Sequence, residues 1–203
     1  NIAQVYCSGE SPANSVCRKY FQISDSMLLK RKKGYALEEK DYSANKEYKY
    51  EVVENKIKNN IPQFLKEASL LARELLWVVF NWKTEKLKNF VTEFKPDIIF
   101  APCYSYFHVS KLALFVKSIA QCPMISYISD DNYSLKQLNF YPSFWINRLF
   151  TRKWIRKLFK ESSLVYTMTE MQKAEYEKDP YAYDRRHHCL RTHRGRPCPS
   201  GKQ

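Results

Sequence analysis

Ile61, Phe64, Leu65, Ala68, Leu71, Leu75 and Val78 recur every three or four residues, so the pattern predicts a helix over 61–80 with Pro62 in its first turn. A second helix, over about 84–94, carries Leu87, Phe90, Val91 and Phe94. It stops at Lys95-Pro96, because the residue before a proline avoids helical backbone. "DIIFA" (97–101), "PMISYIS" (123–129) and "SLVYTMT" (163–169) are short, mostly apolar runs and read as strands. Between the first two, Val109, Leu112, Ala113, Val116, Ile119 and Ala120 line one helical face, and Leu114 with Phe115 make a second side apolar. That helix is expected to be sandwiched. "EMQKAEYEK" after the third run is a short helix, and "IAQVY" (2–6) and "YFQIS" (20–24) are short strands near the start.

Strand, helix, strand, helix, strand is the order of a parallel sheet. The strands lack clean alternation, which is expected when both faces are buried. The predicted fold class is therefore α/β, an open parallel Rossmann-like sheet flanked by helices. In such sheets the loops beyond the strand C-termini form the ligand crevice. "APCYSYFH" follows one strand and "SDDNY" the next, so two polar, aromatic loops are expected on one rim. Asp130 and Asp131 either cap a turn there or belong to a site, and the strand order favours the site.

Residues 30–60 break the pattern. They are charged, dotted with tyrosine and poor in Leu, Ile and Phe, and are expected to form a mobile insertion or long loop. Residues 180–203 change character again. From 181 onward six basic residues against Asp184 give +5 of the chain's +13. This tail is expected to be disordered, with an out-of-frame origin as one explanation of its composition. Its His187, His188, Cys189, His193 and Cys198 match no common zinc spacing, so no metal site is assigned. The net charge points to anionic partners without choosing among them. The 203 residues contain six scattered cysteines with no C-x-x-C, which favours a reducing compartment. No apolar run approaches the ~18 residues that a membrane span needs. The chain begins at Asn1 with no signal-peptide pattern and reads as a fragment or a processed product.

The segment 142–160, "PSFWINRLFTRKWIRKLFK", places Phe150, Trp154 and Leu158 in a stripe with Ile155 beside it. Arg148, Arg152, Lys153, Arg156, Lys157 and Lys160 cover the opposite arc, with Trp145 and Leu149 among them. Tryptophan among cations suits an anionic lipid surface, and Trp145, Arg148, Arg152, Lys153, Arg156 and Lys157 are its candidates. A core-packing helix with a solvated cationic face is the competing reading.

"KPDIIFAPCYSYFHVSKLALFVKSIAQCPMISYISDDNY" resembles the N-terminal, acceptor-side half of bacterial GT-B glycosyltransferases of the family 4 type. "LFKESSLVYTMTEMQKAEYEK" resembles the segment leading toward their second domain, and "NIAQVYCSGESPANSVCRKYFQISD" resembles their second strand and the segment after it. The resemblance spans residues 1–179. It implies one partial Rossmann-like domain, truncated at both ends, that holds a sugar or lipid-linked acceptor. A nucleotide-sugar donor would be bound by a domain outside the chain, so no cofactor is expected here and the chain alone is expected to be inactive. The expected location is cytoplasmic, peripheral on the inner face of a membrane, in polysaccharide assembly. Asp130 or Asp131, at most one of them, would take up the acceptor proton. Tyr104, Ser105, Tyr106, His108 and Tyr133 would bind the acceptor through hydroxyls and stacking, although His108 can equally open the following helix. The E-x7-E spacing of the family's donor site occurs at Glu39/Glu47 and Glu85/Glu93, both in the wrong context, and takes no role.

A second class of function is a non-enzymatic basic module on nucleic acid or an anionic surface. No nucleic-acid motif appears, and specific nucleic-acid binding is not expected. A nucleotide-dependent enzyme of another kind ranks third, since neither G-x-x-x-x-G-K-[ST] nor G-x-G-x-x-G occurs.

Overall fold

The computed structural model describes residues 1–8, 16–32, 34–38, 62–179 and 189–192. They fall into two compact units: 1–95 with 141–144, and 96–140 with 145–203. The sequence pattern predicts one partial domain over 1–179.

In the first unit, β1 (Ala3–Tyr6) pairs parallel with β2 (Lys19–Gln22), and β2 pairs antiparallel with β3 (Tyr35–Glu38). The sheet is thus mixed, and the segment expected to be loop contributes a strand at its start. Gly34 turns the chain into that strand at φ +66°, where an added Cβ would sit 2.9 Å from the Gln22 carbonyl oxygen. Residues 39–61 of the expected insertion lie outside the described residues.

Helices α1 (Asp25–Leu29), α2 (Gln63–Val79) and α3 (Glu85–Phe94) complete the unit. Thr84 caps α3 by accepting the Leu87 backbone N–H, and the helix stops at the predicted Lys-Pro boundary, with Lys95 in the left-handed region. Helix α2 forms where expected but turns its other side inward. Phe64, Leu65, Leu75 and Val78 are 45–56% exposed, whereas Glu67, Glu74 and Trp77 are buried. Trp77 sets this phase. Its indole donates to Asp25 Oδ1 at 2.7 Å, and Arg73 pairs with the same carboxylate at 2.6 Å. Glu67 Oε1 accepts from Gln63 at 2.9 Å.

The second unit carries β4 (Ile99–Cys103), β5 (Met124–Ile128), β6 (Leu164–Thr167) and β7 (Cys189–Thr192), all parallel and adjacent in chain order. Helices α4 (Phe107–Ala120), α5 (Pro142–Glu161) and α6 (Glu170–Glu177) connect them. The α/β class with a parallel sheet flanked by helices is as expected. Pro102 lies inside β4, a place tolerated because β4 is the sheet's edge and needs no N–H on that side. Strand β7 falls in the tail that composition predicts to be disordered; the tail's histidines and the cysteine side chains lie outside the described residues.

Burial of the sheet is one-sided, contrary to expectation. Ala101, Cys103, Met124, Ile128 and Val165 pack with Ile155, Leu158, Phe159, Tyr133 and Tyr176 into one core. Ser126 shares that face, its hydroxyl 2.6 Å from that of Ser162, which donates to the Leu158 carbonyl. The other face carries Ile125, Tyr127 and Leu164, half-buried, and Phe100, 63% exposed. Apolar residues on both faces hid the alternation.

Candidate functional site

The loops after β4 and β5 do meet. Ser105 donates to Asn132 Oδ1 at 2.5 Å, and the Thr151 hydroxyl on α5 donates to the Ser105 carbonyl at 3.2 Å. Parallel register explains this, since Cys103 and Ile128 are neighbours at the strand ends and their loops leave the same edge of the sheet. Tyr104 is 48% exposed on this rim, Ser105 is also exposed, and Tyr106 is half-buried. His108 is 1% exposed, buried in the first turn of α4 with Tyr106 stacked beside it. It sits in the opening turn of the helix, away from the exposed surface of the rim.

The two carboxylates differ. Asp130 is exposed, and its carboxylate accepts a long 3.3 Å bond from the Ser129 hydroxyl. Asp131 caps a turn: its Oδ1 accepts the Ser134 backbone N–H at 2.8 Å and its Oδ2 accepts the Ser134 hydroxyl. Partial burial of Asp131 disfavours its charge. The Ser134 hydroxyl and N–H, the Arg148 guanidinium and the Tyr133 N–H outweigh this and hold the carboxyl below its ordinary range. A weakened base with both oxygens engaged is poorly suited to accept a proton at neutral pH. Asp131 therefore answers to the capping reading, and Asp130 alone stands as a rim carboxylate.

Helical spacing puts Arg148 on a cationic surface. It is instead buried, 6% exposed. Its Nε donates to the Ser134 carbonyl at 2.9 Å, a terminal nitrogen donates to the Asp131 carbonyl, and the Asp131 carboxylate lies 3.6 Å away. The buried line of α5 is Arg148, Thr151, Ile155, Leu158 and Phe159, so the helix is rotated from the predicted stripe and leaves Phe150 46% exposed. Hydrophobic spacing misses this, because two polar residues occupy core-facing positions and find their partners in the loops at the sheet edge.

Tyr133, expected to bind an acceptor, is 2% exposed and belongs to the core. Its hydroxyl donates to Asp179 Oδ2 at 2.5 Å and accepts from Arg156 Nε at 2.8 Å. Burial foremost, then the bond to Asp179, push the phenol up to about 12 against the pull of Arg156 and Arg152. Asp179 also pairs with Arg152 at 2.8 Å and Arg156 at 2.7 Å. The Arg152 guanidinium stacks 4.4 Å from the Tyr133 ring centroid. One carboxylate thus gathers two arginines and a tyrosine, a cluster that the sequence pattern does not reveal. Asp179 stands at the edge of the family-like segment, with nothing local to mark it.

Along the outer side of α5 runs a shallow groove of about 440 Å³, lined by Leu135, Leu149, Arg152, Lys153, Arg156, Lys157 and Lys160. Trp154 lies between cations, with Lys157 Nζ 4.4 Å and Lys111 Nζ 5.5 Å from the ring. Trp145 is half-buried and donates to the Asn139 carbonyl at 2.7 Å. No group of three or more metal-capable side chains gathers among the described residues. Likewise, no helix among them is long and apolar enough to cross a membrane. No family model, curated protein or solved structure matches the chain.

Proposed function

We propose that this chain is the acceptor-side half of a GT-B-type glycosyltransferase, a partial Rossmann-like domain whose β4 and β5 loops receive a sugar or lipid-linked acceptor. The observation that carries the reading is the Ser105–Asn132 bond, which ties two polar loops together at the C-terminal edge of adjacent parallel strands. That edge is where open α/β sheets bind ligands. Tyr104, Ser105, Tyr106 and Asp130 are the side chains offered there. On this reading the nucleotide-sugar is bound by a domain outside these residues.

Saturation-transfer NMR with a panel of oligosaccharides tests it. Saccharide signal is expected with the wild type and is expected to fall in Tyr104→Ala and Asp130→Asn. Equal signal in the variants, or none in the wild type, refutes the rim as an acceptor site. Sugar transfer by residues 1–203 alone refutes the half-enzyme reading. A second reading, a non-enzymatic anion-binding module, draws on the cationic groove of α5. Wild-type binding to anionic partners with no saccharide signal favours it.

A further inference from the structure

The loop between β5 and α5 ends in two bare apolar side chains. Leu138 is 95% exposed and Phe140 is 94% exposed. Single exposed apolar residues are ordinary. These two flank Asn139, whose carbonyl is held by the Trp145 indole at 2.7 Å, so the loop is tied to the first turns of α5 while its apolar tips face outward. Lys136 in the same loop pairs with Glu175 at 3.1 Å. Leu135, earlier in the same loop, and Leu149, one turn after Trp145 on α5, are 42% and 54% exposed and line the groove.

Every other residue lining that groove is cationic: Arg152, Lys153, Arg156, Lys157 and Lys160. Arg152 and Arg156 are committed to Asp179, while Lys153 and Lys157 are exposed. An apolar tip beside a cationic band matches the boundary between lipid headgroups and acyl chains. Single-stranded nucleic acid asks for something else, aromatic faces on which bases stack. Here Trp154 has lysines against it, and the bare residues include a leucine that offers no stacking face.

We infer that this surface docks the chain on an anionic lipid bilayer, with Leu138 and Phe140 entering the headgroup–acyl boundary and Lys153, Lys157 and Lys160 resting on lipid phosphates. Of the residues assigned to a membrane surface by sequence, Lys153 and Lys157 remain in contact. Arg148 is buried, and Trp145 positions the loop. The docking does not depend on sugar transfer, so its test stands apart from that of the proposed function.

The test is co-sedimentation of the full chain with phosphatidylcholine vesicles, with and without phosphatidylglycerol. Binding is expected only with the anionic lipid and is expected to weaken with salt. Leu138→Ser/Phe140→Ser is expected to lower affinity about 100-fold, the scale of burying two large apolar side chains. Lys153→Gln/Lys157→Gln/Lys160→Gln is expected to lower it about 100-fold as well, at roughly one contact's worth per lysine. All five positions are exposed, so circular dichroism and melting should match the wild type. In Phe140→Trp, vesicles are expected to shift the new fluorescence to the blue. Equal binding to neutral vesicles, unchanged binding in either variant, or no blue shift overturns the inference. So does an oligonucleotide that binds as tightly as the anionic vesicles and equally well to the Leu138/Phe140 variant.

Discussion

Replacing Arg148 by alanine should loosen the β5–α5 region more than any other single loss of charge on α5. The guanidinium is 6% exposed and donates to the carbonyls of Ser134 and Asp131. Each hydrogen bond from a charged donor contributes about 1.5–3 kcal/mol, and its loss strands a buried acceptor. The ion pair to Asp131 adds little, since that carboxylate is 44% exposed and 3.6 Å away. The expected cost is about 3–5 kcal/mol, the scale of breaking a buried, hydrogen-bonded charge. Hydrogen exchange localises it: amides of β5 and β6 that open with the whole unit should exchange about 150- to 5,000-fold faster. Arg148→Lys should recover only part of this, because one ammonium cannot reproduce the planar fork that reaches both carbonyls. Acceleration of less than about fivefold in Arg148→Ala, equivalent to roughly 1 kcal/mol, would refute the role assigned to the buried guanidinium.

On α2 the inverted phase reverses the usual ranking of apolar residues. Leu75→Gln should cost less than about 0.5 kcal/mol, whereas Trp77→Ala should cost about 3–5 kcal/mol in urea melts. A large effect at Leu75 would mean that its face is covered. Tyr133 holds its proton to about 12 in the folded chain against roughly 10 unfolded, so the stability it contributes is whole below pH ~10 and lost as pH rises through the folded value. The stability gap between wild type and Tyr133→Phe should therefore narrow over that alkaline window, and a constant gap would remove Tyr133 from the buried cluster. Asp131 behaves oppositely: its folded pKa is depressed, so its contribution is present above the ordinary carboxylate range and fades as pH falls through the folded value. Asp131→Asn should lose that acid-sensitive component, and identical acid melts would place Asp131 outside the cap.

Much of the second unit was legible in the chain. Strands β4, β5 and β6 and helices α4 and α6 form where the apolar runs and periodicities put them, and the Ser105–Asn132 contact follows from parallel register once the strands are adjacent. The roles of the rim residues were harder to read. His108 and Tyr133 look available in sequence because their types suit ligand binding, yet both are buried. Asp179, which organises Arg152, Arg156 and Tyr133, lies 46 residues from the tyrosine that it binds and carried no local sign of its role.

By itself, the sequence determined that α2 and α5 are helices, because backbone hydrogen bonding, side-chain entropy and proline boundaries act over a few residues. Which face of each helix is inside was decided only by tertiary structure. An amphipathic pattern assumes that the apolar stripe finds the core and that polar residues stay in water. On α2 the Trp77 indole and Arg73 are drawn to Asp25, across more than forty residues of chain, and Glu67 and Glu74 go in with them. On α5 the loop carbonyls of Asp131 and Ser134 need donors, and Arg148 supplies them from a core-facing position. A buried polar group is tolerable only when its partners are present. Those partners come from elsewhere in the chain, where no local periodicity records them.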